Sequence, residues 1–471
     1  MPESAPTSFR SFLARIEKQG LVDHVDGEVD LQYELAAVAE QIEQQGRAYR
    51  FEKPQGAKYP LVGGLFNEFS RIGMGLGAPD EGSFAFSDLK IALETAKSKP
   101  VQAEEVANGP VRDVVINAGD IDLSCLPVPT VFELDSGPFI TGAVGITRDP
   151  DSGELNVGVY RTLVIGRNRV VINASSMSDL RRIYERWEQS SEVMPIALAI
   201  GVSPALLIAA AAKPEVGQSE YELAGGLQKS PVELVRCQNS DLMVPANAEF
   251  VLEGTVDFSE RVENLLGEFA GQYGPEVAPV TVVNTITHRR EPIYQSILAG
   301  RNPEHNNIGA VAAFGIKDAI EGAIYAAIPA AKRVNAIIDP AVGTLAHIAI
   351  SIDKTNDAEP RRIIEQAFAA SSAMFPISVI AKRIVVVDED IDIASLADIE
   401  WAIWNRIADE RKVLVLPDMA TAEFERAAKP GMKSVRIGLD ATMDLADRDK
   451  LTRPFIPGSS DLCLKDYIAT G

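Results

Sequence analysis

The feature that most constrains the fold is a series of short β-branched segments between Val111 and about Gly300. Glycine and asparagine stand at the breaks between the segments. Short strands that recur regularly are typical of a β-barrel or sandwich rather than of βαβ repeats. We therefore expect a barrel-like central domain, interrupted by one helix at residues 178–189. The segments are residues 111–116, 140–146, 157–165, 169–172, 232–235, 250–256, 279–286 and 293–297.

Helices and strands alternate on both sides of this region. Phe9, Phe12, Leu13 and Ile16 share one face at helical spacing, and Gly20 provides a stop. The expected fold class is therefore α/β, or α+β over several domains. The remaining patterns predict helices at residues 31–45, 359–368 and 393–407, and strands at residues 48–52, 59–62, 346–352, 379–387 and 413–416.

The length of 471 residues predicts two to four domains. We expect an N-terminal α/β unit at residues 1–112, the barrel-like domain at residues 113–305 and a C-terminal α/β domain at residues 306–471.

The charge and the apolar pattern limit the classes of partner. A formal net charge of −22 argues against binding to nucleic acid or to anionic membranes, which attract the opposite sign. The longest apolar stretch, residues 194–212, is broken by Gly201 and Pro204 and predicts a buried strand followed by a helix. The three cysteines are scattered singly, without disulfide or zinc spacing, so we expect a cytoplasmic protein.

The common nucleotide, hydrolase and zinc-protease motifs are absent from the sequence. His305 and Asn306 belong to a polar stretch at residues 301–307, which we interpret as a loop between the second and third domains. Because loops at domain junctions often line pockets, both residues are candidate substrate contacts. An exposed loop histidine explains the pattern equally well.

Two pairs of residues share a spacing of five: Asn156 with Arg161, and Glu263 with Glu268. Removing CO2 from an acid requires a group that holds the carboxylate, an electron sink and a proton donor. Arginine grips a carboxylate with its planar fork, and a carboxyl group with a raised pKa can return the proton. On spacing alone, two solvated surface glutamates explain the second pair better.

Glu220 lies in a stretch, residues 219–226, that taken alone predicts the edge of a strand. Glutamate and asparagine side chains are hard oxygen ligands suited to Mg²⁺ or Mn²⁺. Glu220 therefore becomes a candidate ligand, together with Asn156, only where such a cation is expected.

Several motifs together resemble the UbiD family of decarboxylases, which depend on prenylated FMN, and the resemblance covers nearly the whole chain. Residues 9–13 with Gly20 are similar to the opening of the family, and residues 156–161 to its Asn-x-x-x-x-Arg segment. Residues 219–225 resemble the stretch that carries a metal-binding glutamate. Residues 241–254, 263–268, 386–392 and 438–442 are similar to later motifs of the family.

The resemblance implies a role for each matching residue. Arg161 and Glu263 would form a charged pair beside the flavin, and Glu268 would donate the proton. Asn156 and Glu220 would hold a divalent cation bound to the flavin phosphate. The residues implied in cofactor binding are Asn156, Gly158, Val159, Tyr160, Arg161 and Glu220. The resemblance also implies that the central domain is a split barrel similar to flavin reductases.

The sequence departs from the family pattern at two places. Family members place a histidine about two dozen residues after the metal-binding asparagine, and this chain has none there. Met177 and Asp179 are nearest in position, and only Asp179 is a plausible ligand for a hard cation. The Gly-Pro-Phe that commonly separates the two catalytic glutamates is replaced by Asn264, Leu265 and Leu266.

The function implied is the reversible, non-oxidative decarboxylation of an aromatic, heteroaromatic or α,β-unsaturated acid through a covalent adduct with the flavin. The implied cofactors are prenylated FMN and Mn²⁺ or Mg²⁺, with K⁺ as a further candidate. The implied partners are a second copy of the chain, in a dimer or hexamer, and a flavin prenyltransferase that supplies the cofactor. Two alternatives stay open: a flavin-binding subunit without chemistry of its own, and a carboxylase that runs the reverse reaction.

Overall fold

The fold is described from a computed structural model. The described residues are 4–80, 82–175, 178–190, 192–212, 214, 217–269, 271–338, 347–374, 381–419, 425, 427, 432–448, 453–454, 456–458 and 467. The chain divides into two compact units, one ending at Gly315 and the other containing the described residues from Ile316 onward. Met177, one of the two residues considered in place of the family histidine, lies outside the described residues.

Helices and strands alternate along the chain as the sequence predicts. The helices are α1 (Phe9–Lys18), α2 (Glu34–Gln44), α3 (Phe69–Gly75), α4 (Phe86–Ser98), α5 (Asp179–Ser190), α6 (Pro204–Ala211), α7 (Glu220–Gln228), α8 (Pro303–Ala327), α9 (Glu359–Met374) and α10 (Leu396–Arg406). The strands are β1 (Val22–Val29), β2 (Ala48–Pro54), β3 (Leu61–Gly63), β4 (Glu104–Glu105), β5 (Val114–Asn117), β6 (Phe139–Ile140), β7 (Ala143–Arg148), β8 (Leu155–Val159), β9 (Thr162–Gly166), β10 (Arg169–Ile172), β11 (Met194–Ile200), β12 (Glu233–Arg236), β13 (Met243–Pro245), β14 (Phe250–Gly267), β15 (Tyr273–His288), β16 (Tyr294–Gln295), β17 (Ala331–Ala336), β18 (His347–Ile352), β19 (Arg383–Asp388), β20 (Val413–Met419) and β21 (Ser434–Ala441).

A curled, half-barrel antiparallel sheet dominates the first unit. Its strands follow the order β6-β9-β10-β15-β14-β11-β7-β8, and β5 pairs with β15. The two longest strands, β14 and β15, form a hairpin that closes where Gly267 pairs with Tyr273. The expected central β-domain is confirmed, but β14 extends eleven residues beyond the predicted end at Val256. Polar and exposed residues follow soon after Val256, so the apolar alternation that predicts a strand does not continue there.

A smaller sheet, in the order β1-β2-β3-β16, lies at the N-terminal side of the first unit. Helix α1 begins after Ser8, whose hydroxyl accepts a hydrogen bond from the backbone of Ser11. Its apolar face is buried as predicted, with Phe9 and Phe12 each 1% exposed.

One turn and one helix cap shape the region that carries the candidate site. The β7–β8 hairpin turns at Asp149, whose carboxylate accepts hydrogen bonds from the backbone of Asp151 and Ser152. Residues 219–226, predicted as a strand edge, instead begin helix α7. A capping box between Ser219 and Glu222 starts this helix, because each side chain satisfies the backbone N–H of the other.

The second unit contains a five-stranded sheet in the order β17-β18-β19-β21-β20, with β18, β19 and β21 parallel. Helices α9 and α10 pack on this sheet. Gly438 permits the close approach of α9, since a Cβ there would lie 2.3 Å from Cγ2 of Ile364. In the described part of the chain, none of the helices has the length and apolar character needed to cross a membrane.

Candidate active site

A cleft of about 680 Å³ opens in the first unit, a size typical of small-molecule sites. Its walls are strand β8 with the two residues that follow it, helix α5, the segment from α6 to α7, and the first turns of α8. The sequence-predicted residues that line it are Asn156, Gly158, Val159, Tyr160, Arg161, Asp179, Glu220 and His305.

Arg161 and Glu268 form a bidentate ion pair. Nη1 of Arg161 lies 2.7 Å from Oε2 of Glu268, and Nη2 lies 3.2 Å from Oε1. The Glu268 side chain is 2% exposed and the Arg161 side chain 22% exposed. Arg161 lines the cleft, whereas Glu268 is not one of its lining residues and is bound to Arg161. The site therefore holds a paired glutamate and arginine in a largely desolvated place.

The predicted ion pair between Arg161 and Glu263 is not formed. Glu263 is exposed on strand β14, whereas Asn264 and Leu266 are buried. Side chains alternate between the two faces of a strand, so residues five apart point in opposite directions. Glu268, directly after the strand, lies on the buried side, and it takes the position beside Arg161 that the sequence assigned to Glu263.

Asn264 has a clear structural role, although it departs from the family pattern. Its side-chain amide exchanges two hydrogen bonds with that of Asn173, at 2.8 and 3.0 Å. The backbone N–H of Asn173 donates to the carbonyl of Arg161 at 3.0 Å. Asn173 thus connects the strand that precedes Glu268 to the backbone of Arg161.

Asn156 and Tyr160 are joined at the other end of the same segment. Nδ2 of Asn156 donates to the hydroxyl of Tyr160 at 2.9 Å. The Tyr160 ring packs on Gly158, where a Cβ would lie 2.5 Å from the hydroxyl oxygen. Any side chain at residue 158 would therefore clash with Tyr160, so only glycine fits there. Because the amide nitrogen of Asn156 is already used, its carbonyl oxygen is the atom that can act as a ligand.

Glu220 and Asp179 place two carboxylates in the wall of the cleft that Asn156 also lines. Burial, with a smaller contribution from the charge of Asp179, raises the pKa of Glu220 to about 7. Oε2 of Glu220 is buried and has no hydrogen-bond partner. A buried carboxylate oxygen without a hydrogen-bond partner, in a cleft that a second carboxylate and Asn156 also line, fits a hard divalent cation. Asp179 also contacts Arg182, which lies one helical turn along α5.

His305 lies beside the Arg161–Glu268 pair. Its Nδ1 donates to the carbonyl of Gly300 at 3.0 Å, and its ring meets that of Phe269 edge to face. Burial and the charge of Arg161 lower its pKa to about 4, so the imidazole is neutral at physiological pH. With Nδ1 protonated, the free Nε2 is a hydrogen-bond acceptor.

The predicted loop at residues 301–307 is wrong, because α8 begins at Pro303 and carries His305 in its first turn. Proline at the first position of a helix is favoured, since its missing N–H has no partner there in any case. Asn306 is not among the residues that line the cleft.

Sequence reasoning missed two arginines of the cleft wall. Arg182 and Arg186 project from α5, and Arg186 pairs with Asp149 of the β7–β8 turn. The helix itself was predicted, but tertiary packing determines which of its residues face the cleft. These two arginines offer positive charge near the two carboxylates, where an anionic group could bind.

Family models match most of the chain. The N-terminal domain of 3-octaprenyl-4-hydroxybenzoate carboxy-lyase matches residues 13–85. The Rift-related domain of the same enzyme family, UbiD, matches residues 103–302, and its C-terminal domain matches residues 310–441.

Solved structures of the same class resemble the chain over nearly its full length. The UbiD-class enzyme HmfF from Pelotomaculum thermopropionicum, in complex with FMN, is 33% identical, with 98% of this chain and 100% of that chain covered and a TM-score of 0.81. An evolved dimeric form of HmfF, in complex with prFMN, has the same identity and coverage and a TM-score of 0.77. Vanillic acid decarboxylase from Sedimentibacter hydroxybenzoicus is 26% identical, with 97% of each chain covered and a TM-score of 0.77. The chain belongs to the UbiD family of carboxy-lyases.

Proposed function

We propose that this protein removes CO2 from an aromatic, heteroaromatic or α,β-unsaturated carboxylic acid with the help of prenylated FMN. The observation that carries the proposal is the bidentate Arg161–Glu268 pair beside a cleft of about 680 Å³. The bound FMN and prFMN of the HmfF structures support the choice of cofactor. When bound, prenylated FMN supplies the electron sink that no amino-acid side chain provides.

Asn156, Asp179 and Glu220 would hold Mn²⁺ or Mg²⁺ at the phosphate end of the cofactor. Two carboxylates would repel a phosphate unless a cation lies between them. The unsatisfied Oε2 of Glu220 fits such a cation. Asp179 then takes the place of the missing family histidine as a ligand from α5. A K⁺ ion is a further candidate that no particular residue supports.

Arg161 would bind the carboxylate of the substrate. Its fork is filled by Glu268, so a substrate carboxylate must compete with Glu268 for the guanidinium. Once displaced, Glu268 lies beside a second carboxylate, a condition that generally favours the protonated form of a carboxyl group. Glu268 would then return its proton to the carbon atom that has lost CO2. The catalytic role of Glu263 stays a prediction from the sequence.

His305 is the proposed contact to the ring or chain of the substrate. Its Nε2 accepts rather than donates, so it favours a substrate with an N–H or O–H group. Desolvation of an unpaired polar atom penalises substrates that lack such a group. Asn306, the second residue proposed from the sequence, lacks this support because it does not line the cleft.

Two alternatives differ from this proposal in one property each. A flavin-binding subunit without chemistry has no need for a buried arginine–carboxylate pair, which is costly to desolvate. A carboxylase would use the same residues and differ only in the supply of CO2.

We also propose that the chain forms a homodimer or homohexamer, in keeping with the dimeric form of HmfF. A flavin prenyltransferase would supply the cofactor.

The proposal can be tested by producing the protein together with a flavin prenyltransferase and recording its absorbance spectrum. The loaded protein is then assayed for CO2 release from a panel of aromatic, heteroaromatic and acrylic acids. A flavin spectrum with turnover of at least one acid supports the proposal. A flavin spectrum without turnover of any acid, in either direction, would favour the non-catalytic subunit.

A further inference from the structure

The end of strand β14 is held on both of its edges. On one edge it pairs with β15. On the other edge, side chains take the place of a neighbouring strand. Oδ1 of Asp135 accepts from the backbone N–H of Gly267 at 2.8 Å, and Oγ of Ser136 accepts from that of Leu265 at 2.8 Å. The backbone N–H of Ser136 also donates to the carbonyl of Leu265 at 2.9 Å.

The carboxylate of Asp135 is used entirely for backbone hydrogen bonds. Its second oxygen, Oδ2, accepts from the N–H of Phe132 at 3.0 Å. The same carboxylate therefore stabilises the turn that begins at Phe132 and also binds the backbone of Gly267. Burial raises the pKa of Asp135, although these N–H groups act in the opposite direction. Asp135 therefore serves as a fixed acceptor between two pieces of backbone.

The ring of Phe132 fills the space between two glycines of the site. A Cβ on Gly267 would lie 2.2 Å from Cδ2 of Phe132, and a Cβ on Gly300 would lie 2.4 Å from Cζ. Gly267 directly precedes Glu268, and the carbonyl of Gly300 accepts from His305. The ring thus packs between the backbone that carries the proton donor and the backbone that orients His305.

We propose that the carboxylate of Asp135 and the ring of Phe132 position Glu268 for proton transfer. The inference rests on the proposed function for its catalytic consequence. The backbone of Glu268 forms turn hydrogen bonds with that of Gln272 and Gly271, at 2.8 and 2.9 Å. Fixing Gly267 therefore fixes the Cα of Glu268, so that its side chain can leave Arg161 and still reach the cleft. Asp135 is a positioning residue and does not itself transfer a proton.

Three variants of the complete, flavin-loaded protein test this inference. Asp135→Ala removes both acceptors, and Asp135→Asn keeps one acceptor oxygen. Glu133→Gln is the matched control, because Glu133 is an exposed acid in the same loop. The first measurement is amide hydrogen exchange in the peptide that covers residues 263–269, which needs no catalytic activity. The second is the separate determination of kcat and KM.

We expect faster exchange in this peptide for Asp135→Ala, a smaller increase for Asp135→Asn and no change for Glu133→Gln. The kcat of Asp135→Ala should fall about tenfold or more, since misplaced catalytic groups are costly. KM should change much less than kcat, because Asp135 acts on Arg161 through its charge and not through a hydrogen bond. Flavin content should stay unchanged, because the proposed cation ligands are not altered. Partial recovery of kcat in Asp135→Asn would distinguish positioning from a general loss of structure.

The outcomes separate this inference from the proposed function. Unchanged exchange in Asp135→Ala and Asp135→Asn overturns the inference, whatever the activity. Faster exchange with an unaltered kcat overturns the positioning role. If the wild-type protein turns over no acid, the proposed function fails, and the exchange data still decide whether Asp135 holds the end of β14. Should Asp135→Ala fail to fold, Ser136→Ala and Asp135→Asn supply the same comparison.

Discussion

Glu263 and Glu268 lie five residues apart, yet only Glu268 contacts Arg161. Nη1 of Arg161 lies 2.7 Å from Oε2 of Glu268, while Glu263 is exposed on the opposite face of β14. The two glutamates therefore lie in different environments: Glu268 is almost fully buried, and Glu263 is exposed to solvent.

The change Glu263→Gln tests whether the exposed glutamate acts in catalysis. We expect kcat/KM to stay within about threefold of the wild-type value, because surface charges away from a site have small effects. Steady-state kinetics of the flavin-loaded variant measure this directly. A loss of a hundredfold or more would show that β14 rearranges and brings Glu263 to Arg161 during turnover.

The changes Asp179→Asn and Glu220→Gln test the cation site. Each removes a charged oxygen ligand, so Mn²⁺ should bind at least about tenfold more weakly, a loss of about 1.4 kcal/mol. Titration calorimetry or the electron paramagnetic resonance of free Mn²⁺ gives the dissociation constant. Glu185→Gln is the control, since Glu185 is exposed on the same helix as Asp179. Equal Mn²⁺ affinity in all four proteins would remove the proposed ligands.

The change His305→Phe tests the substrate contact. It keeps an aromatic ring but removes the acceptor nitrogen, so kcat/KM should fall about 10- to 100-fold for acids with an N–H or O–H group. Acids without such a group should be affected much less. Asn306→Ala should change kcat/KM little, because Asn306 does not line the cleft. A larger effect at Asn306 than at His305 would reverse the assignment.

The buried pair of Glu43 and Glu304 predicts a pH-dependent stability. Burial and the charge of Glu304 raise the pKa of Glu43 to about 9, from 4.5. Between these values the folded state holds a proton that the unfolded state has lost, so stability falls as the pH rises. The decline for one proton is up to about 1.4 kcal/mol per pH unit.

Glu43→Gln should remove much of this decline and make the variant more stable than the wild type at pH 9. Calorimetric melting between pH 5.5 and 9 measures the difference. Glu40→Gln, an exposed position on the same helix, serves as the control. Parallel melting curves for wild type and Glu43→Gln across this range would mean that Glu43 is ionised in the folded protein.

The sequence predicted the elements that bury a continuous apolar face. Helix α1 is an example, since Phe9, Phe12, Leu13 and Ile16 are each at most 3% exposed. It failed where polar residues belong to regular structure. The far part of β14 was not predicted as a strand and the first turn of α8 was predicted as a loop, because polar residues interrupt the apolar pattern in both.

The residues of the candidate site could be predicted from the sequence, but the ion pair that Arg161 forms could not. The resemblance supplied Arg161, Glu268, Asn156 and Glu220, and each has a place that suits its predicted chemistry. Which glutamate pairs with Arg161 depends on the face of β14 that each side chain occupies. This alternation can be followed to Glu268 only when the true end of the strand is known. The start of α7 was readable, because Ser219 and Glu222 have the spacing of a capping box. Asp135 carried no such signal, since its partners are distant backbone groups.

In the function proposed above, Glu268 is the proton donor of a flavin-dependent decarboxylase. The most direct measurement is turnover of the preferred acid by Glu268→Gln, produced with a flavin prenyltransferase and compared with the wild type at equal flavin content. We predict normal flavin binding and a loss of kcat of about 100- to 10,000-fold, the range expected for a general acid. Wild-type turnover by Glu268→Gln would exclude Glu268 as the proton donor.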